Sequence, residues 1–210
     1  MRSALSKEVQ KQVEKGIKII RKGGLVAFPT DTLYGLGAGA YLESAVERIF
    51  RVKQRPLDMA IPLLLADTTQ ITEIAKEIPE YAWRLIERFM PGGLTLVVRR
   101  TQRVKDIITG GSNTVAFRIP DHPVPQFLIR GSGMPITGTS ANVSGQPNPL
   151  TYKEVYRQIG DKVDLVIDGR PPPHGKESTV VDVTGDAPVI LRHGAISKAQ
   201  LEEMMKIKWE

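Results

Sequence analysis

Residues 28–40 read FPTDTLYGLGAGA, in which Thr30 and Thr32 flank Asp31 and three glycines, Gly35, Gly37 and Gly39, alternate with Leu36 and Ala38. Glycines at this density remove side chains where backbone must come close to something. Two occupants of that space are open, another part of the chain or a phosphate-bearing ligand. Other polar groups are set in apolar surroundings further along. VKQRP (52–56) puts Lys53 and Arg55 at a helix end, where cations also simply complement the helix dipole for about 0.3–1 kcal/mol. TVAFRIP (114–120) embeds Arg118 in an apolar strand, and a guanidinium turned into a cleft would clamp a carboxylate or phosphate through two N–H donors. TGTSANVSGQPN (137–148) offers hydroxyls and amides in a turn, as an anion nest would. KESTVVD (176–182) and ILRHG (190–194) add a hydroxyl before one strand and an arginine ending another. Each has an ordinary structural explanation alone; together they favour a nucleotide-like ligand held by cations, hydroxyls and backbone amides.

Familiar alternatives fail by spacing. There is no GxxxxGK[ST], and GLGAGA lacks the third glycine of a dinucleotide fingerprint. His122, His174 and His193 are scattered without a ligand pair at helix spacing, so no side-chain metal site is identifiable. The chain has no cysteine, which removes disulfides and thiolate chemistry. Its net charge of +6 suits an anionic partner and solubility equally, until the charges are located. The N-terminal sequence lacks the apolar core of a secretory signal, and AIPLLLA is too short to span a bilayer. These features predict a cytoplasmic protein that makes no use of a membrane.

The elements that must position these groups are legible as patterns. Val9, Val13, Ile17 and Ile20 share one face of a helix over 7–22 that stops at Gly23-Gly24. Ser44/Glu47, Thr151/Glu154 and Ser197/Gln200 have capping-box spacing, predicting helices that begin near 45, 152 and 198. EYAWRLIERFM predicts another, up to PGG. LVAFPT, IPLLLA, LTLVV, TVAFRI, PITGT, DLVID, STVVDV and PVILR read as strands, the later ones joined by turns and therefore paired antiparallel. The expected fold class is α/β (α+β), a twisted mixed sheet flanked by helices, in one domain over 1–210. The Pro-dense stretch 169–178 reads as a loop, ordered or mobile, within it.

FPTDTLYGLGAGA, KQRP, VAFRIPDHP, TSANVSG, ESTVVDVT and ILRHGAI, in this order from about residue 10 to about 200, resemble the YrdC-like family of threonylcarbamoyladenylate synthases. The resemblance implies a basic concave face and a reaction in which L-threonine, bicarbonate and ATP give threonylcarbamoyl-AMP and pyrophosphate. The product would feed N6-threonylcarbamoylation of tRNA adenosine 37 through downstream transferring proteins. Mg²⁺ is implied with ATP, and tRNA or double-stranded RNA is a further implied partner. By position, Thr32, Arg118 and Ser178 would hold threonine, with Gly138 in the pocket wall. Arg55, Thr114, Ser140, Asn148 and Arg192 would contact ATP, and Lys53 would meet phosphate or carbamate oxygens, making Lys53 and Arg55 the catalytic pair. Met59 and Leu64 stand where many members carry an Asn that touches ATP and a His that touches threonine; Asp31 stands where Glu is frequent. The resemblance also implies that the glycines turn the chain against the ligand that Thr32 reads, and the extra C-terminal domain of longer members is expected to be absent. Two rivals are a non-catalytic RNA-binding module and a carbamoyl-adenylate-forming domain; nucleotide binding and a threonine requirement separate them from the synthase.

Overall fold

The computed structural model describes residues 5–169 and 175–205. Helix α1 (Lys7–Arg21) opens on Ser6, whose hydroxyl accepts from the Val9 amide, and ends before Gly23 at φ +79°, a conformation glycine adopts without strain. Its buried face (Val13, Gly16, Ile20) packs on α6 (Pro123–Ser132) and on strand β1 (Val26–Pro29). All four β1 residues are buried, because Val26 and Phe28 face α1 and α6 while Ala27 faces the main core.

β1 turns through Thr30–Leu33 into β2 (Tyr34–Gly37). The Thr30 hydroxyl donates to the Leu33 carbonyl at 2.7 Å and accepts from the Thr32 amide at 3.1 Å, so a threonine side chain organises the turn. The glycine expectation is corrected here: Gly35 and Gly37 lie in β2, not in the turn. A Cβ on Gly37 would sit 2.8 Å from Phe28 Cε1 and 2.9 Å from the Thr137 carbonyl. Of the two occupants, the chain's own Phe28 ring fills the space at Gly37.

The remaining elements, in order, are α2 (Glu43–Lys53), β3 (Leu63–Leu64), α3 (Ile71–Ile74), α4 (Glu80–Phe89), β4 (Leu94–Arg99), α5 (Asp106–Thr109), β5 (Thr114–Arg118), β6 (Ile136–Thr137), β7 (Thr139–Ser140), α7 (Tyr152–Ile159), β8 (Leu165–Val166), β9 (Thr179–Asp182), β10 (Val189–Arg192) and α8 (Lys198–Met205), with α6 preceding β6. The strands form two ladders, β7-β2-β1-β8 and β10-β9-β4-β5-β3-β6. The α/β class with mixed, helix-flanked sheets stands. β9–β10 is antiparallel as read, and β4–β5 is antiparallel across α5, but β9 also pairs parallel to β4, and β8 parallel to β1.

Two capping boxes form. Thr151 and Glu154 exchange side-chain and backbone bonds, as do Ser197 and Gln200. The third does not: α2 begins one residue before Ser44, with Leu42 as an N-cap that makes no side-chain bond. PITGT is divided at Gly138 between β6 of the large sheet and β7 of the small one. Helix α6 went unread because its first turn contains Pro123 and Pro125; both tolerate the N-terminal turn, and His122 caps it by accepting from the Val124 amide.

Candidate active site

At the Gly138 crossing the two sheets enclose a cleft of about 320 Å³. Gly35, Thr139 and Ser140 come from the small sheet, and Thr95, Ala116, Arg118, Val180 and Arg192 from the large one. Eight of the twelve residues predicted from sequence line it: Thr32, Arg55, Leu64, Arg118, Gly138, Ser140, Ser178 and Arg192.

Arg118, at the end of β5, is held from three sides. Its Nε donates to the Gly92 carbonyl (2.7 Å), one Nη to the Thr32 hydroxyl (2.6 Å) and the other to Asp31 Oδ1 (2.5 Å). The Arg118 and Asp31 side chains are only 7% and 4% exposed, so this is a buried ion pair. A guanidinium has five N–H donors in a rigid fork; three are engaged by the chain and two are left for a ligand in the cleft. Asp31 Oδ2 has no hydrogen-bond partner.

Ser178 immediately precedes β9, and Arg192 ends β10. The Ser178 hydroxyl is 2.7 Å from that of Thr95, and Arg192 donates to the Ser178 carbonyl (3.0 Å) and hydroxyl (3.1 Å). Glu177 pairs with Arg192 at 2.6 Å and also accepts from Asn148 Nδ2 at 3.0 Å. Asn148 is thus tethered to the cleft wall without lining it.

Arg55 differs from both other arginines because no described carboxylate pairs with it. It donates to the Ala60 carbonyl at 2.8 Å, and its buried Nε has no partner. Burial lowers its guanidinium from the ordinary value. The cleft therefore contains one positive charge that the described chain leaves uncompensated.

Lys53 does not line the cleft. It is 2% exposed, and its ammonium donates to the Ser140 carbonyl (2.6 Å), the Asn142 carbonyl (2.8 Å) and Asn142 Oδ1 (3.1 Å). An ammonium has three protons, so all are engaged by the 140–142 segment. Here the sequence-based placement on phosphate oxygens is corrected to a clamp on the segment that presents Ser140. Burial, then the neighbouring Arg55 cation, push its pKa down to about 8.

Thr114 shares a face of β5 with Ala116 and Arg118 by strand alternation, but lies two residues beyond the cleft and bonds to Ser112. Met59 is exposed in the loop after α2 and does not line the cleft. Leu64 does, pressed so closely on Gly138 that a Cβ there would sit 2.4 Å from Leu64 Cγ. Sequence reasoning missed Thr30, Thr95, Thr139 and Glu177. Thr95 had a usable signal, as the lone polar residue of LTLVV.

Among the described residues no group of three His, Asp, Glu or Cys side chains could hold a metal ion. His122 is engaged as the α6 cap, and burial lowers its pKa. His174 and half of the Pro-dense stretch, residues 170–174, lie outside the described residues. No described helix is long and apolar enough to cross a membrane.

A family model for Sua5, YciO and YrdC, described as telomere recombination, matches residues 18–194. A threonylcarbamoyl-AMP synthase of Pyrococcus abyssi is 46% identical over 89% of this chain and 55% of its own length. One from Bacillus subtilis is 40% identical over 92% of this chain and 56% of its own. The crystal structure of P. abyssi Sua5 complexed with L-threonine superposes with a TM-score of 0.92 at 43% identity, covering 97% of this chain and 59% of that one. The chain thus spans little more than half the length of these relatives. A match over most of the chain, with the same fold at high identity, means that it belongs to the Sua5/YciO/YrdC family.

Proposed function

We propose that this chain forms threonylcarbamoyl-AMP from L-threonine, bicarbonate and ATP. The observation that carries the reading is the contrast among the cleft's cations. Arg118 and Arg192 are each paired with a carboxylate, whereas Arg55 keeps its charge and a buried, unpartnered Nε. One end of the cleft suits a small ligand carboxylate, met by the two free donors of Arg118 beside Thr32 and Ser178. The other suits a polyanion at Arg55. The relative solved with L-threonine supports that amino acid as a ligand.

The chemistry asks for no protein nucleophile. Threonine's amine and bicarbonate give a carbamate and water. A carbamate oxygen then attacks the α-phosphorus, and pyrophosphate leaves. The residues position two anions against each other and stabilise the charge developing on phosphate. In this reading Thr32, Arg118 and Ser178 hold threonine, with Gly138 and Leu64 as wall; Arg55, Ser140 and Arg192 hold phosphate oxygens. Thr114, Asn148 and Met59 lie outward, where the nucleoside would extend. Mg²⁺ would arrive with ATP, since magnesium favours substrate phosphates and water over all-protein cages. Among the described residues Glu177 is the one carboxylate in the lining, which fits a metal carried by substrate. The product would then serve a tRNA-modifying step downstream.

Pyrophosphate release from MgATP and bicarbonate, with and without L-threonine, tests the proposal. Threonine-dependent release together with the mass of threonylcarbamoyl-AMP is the expected result. ATP binding without threonine-dependent release would overturn it, and full activity in Arg55→Ala would remove Arg55 from the polyanion site.

A further inference from the structure

We propose that Glu177 is a displaceable counter-anion, which holds Arg192 before the nucleotide arrives, yields it to phosphate oxygens and reclaims it as pyrophosphate leaves. This rests on the reading that the polyanion lies at the Arg55 and Arg192 end of the cleft.

The cleft contains two arginine–carboxylate pairs of different kinds. The Arg118 and Asp31 side chains are 7% and 4% exposed, so parting them would strand a buried charge. Those of Arg192 and Glu177 are 45% and 37% exposed, so water can take up each charge as they part, and the pair contributes little by itself. The first pair is permanent, whereas the second can be exchanged for another anion.

Arg192 keeps its place without Glu177. Its Nε donates to the Ser178 carbonyl at 3.2 Å, and Nη2 donates to that carbonyl at 3.0 Å and to the Ser178 hydroxyl at 3.1 Å. These bonds use three of the five guanidinium protons. The other two are on Nη1, the nitrogen that lies 2.6 Å from Glu177 Oε2. A phosphate approaching Nη1 therefore meets a like charge, and must displace it to reach both protons. Glu177 keeps a partner when it moves, because its Oε1 accepts from Asn148 Nδ2 at 3.0 Å. Its main chain is fixed by the Ala195 amide, which donates to the Glu177 carbonyl at 2.8 Å, so the exchange needs only a side-chain rotation.

The exchange changes charge more than shape. Beforehand Arg55 is the cleft arginine that no described carboxylate offsets; afterwards Arg192 faces the polyanion as well. The same carboxylate then competes with pyrophosphate for Arg192 and weakens the hold on product. A role for Glu177 as a mere brace would duplicate the three bonds from Arg192 to Ser178.

The test titrates the intact chain with magnesium pyrophosphate by calorimetry, with no other substrate present. Glu177→Gln keeps the size of the side chain and its capacity for hydrogen bonds but removes its charge. It should bind pyrophosphate about tenfold more tightly at about 50 mM salt, and the gap should close near about 500 mM, because a charge effect is screened. Glu177→Asp, which keeps the charge, should stay within about threefold of the unsubstituted chain. In turnover, pyrophosphate should inhibit Glu177→Gln at lower concentration and KM for ATP should fall, whereas losing a brace would raise both. Equal or weaker pyrophosphate binding in Glu177→Gln would overturn the proposal, the weaker case by making Glu177 a brace or a magnesium ligand. A gain that is insensitive to salt would also overturn it, since relieved crowding would then explain the effect. So would absence of pyrophosphate binding by the unsubstituted chain and the variant alike. A salt-sensitive gain in a chain without threonine-dependent release would uphold the exchange and refute only the proposed reaction.

Discussion

Replacing Asp31 by Asn removes one charge from the buried pair that fixes Arg118. Asn can still present an oxygen 2.5 Å from the guanidinium and accept the 3.2 Å bond from the Asp121 amide, so both hydrogen bonds can survive. What disappears is the counter-charge to a guanidinium that is 7% exposed, and the new amide N–H₂ takes the place of Oδ2, an atom with no partner to accept from. Removing one member of a buried ion pair typically costs about 3–5 kcal/mol. The retained hydrogen bonds put the expectation at the low end, about 3 kcal/mol, or about 6–12 °C in Tm for a chain of this size. Urea titration at neutral pH measures the loss, with the slope m compared between variants so that a change in the denatured state is recognised. Kinetics give a second readout. A misdirected Arg118 should raise KM for threonine more than it lowers kcat and leave KM for ATP nearly unchanged. Asp31→Glu, which keeps the charge, should recover at least half of both losses. A stability loss below about 1 kcal/mol would refute the inference that Asp31 neutralises Arg118, because it would place the guanidinium in a solvated environment.

Lys53 predicts a pH effect with opposite signs for activity and stability. Its folded-state pKa is about 8, below the ordinary 10.5, so between those values the unfolded chain binds the extra proton. This group therefore makes the fold more stable as pH rises through that window. Activity should instead fall with a midpoint near pH 8 as the clamp on 140–142 loses a proton, and the limb should move upward in Lys53→Arg. A pH–rate profile flat to pH 9.5 would remove the clamp from the mechanism. Gly37→Ala should cost about 1–3 kcal/mol by thermal denaturation, since the new Cβ meets a backbone carbonyl 2.9 Å away that cannot swing aside; an unchanged Tm would contradict the packing described. Thr95→Val removes the 2.7 Å partner of the Ser178 hydroxyl, at about 1 kcal/mol, and should raise KM for threonine several-fold while sparing that for ATP.

Local chemistry was legible wherever neighbours in sequence are also neighbours in space. The Thr151/Glu154 and Ser197/Gln200 caps, the apolar face of α1, and α4 ending at Phe89 before the Pro91 breaker all depend on contacts within one turn or so of helix. The Ser44/Glu47 spacing permits a box, but α2 already begins at Glu43, so Ser44 lies inside the first turn rather than at the cap. The quoted motifs were sufficient to identify the family and to name eight of the nineteen described residues that line the cleft. What each side chain does there was decided by partners far away in the chain. Asp31 meets Arg118 across 87 positions, Lys53 meets Ser140 and Asn142 across 87 and 89, and Thr95 meets Ser178 across 83. The Thr95–Ser178 meeting follows from the pairing of β4 with β9, and the other two from how the small sheet and α2 lie against their neighbours, none of which a hydrophobic period encodes. A period reports which face of an element is buried, not which element covers it. The sequence by itself therefore determined the inventory of cations, hydroxyls and glycines, while only the tertiary structure decided which cations are neutralised and which one is left to meet a ligand.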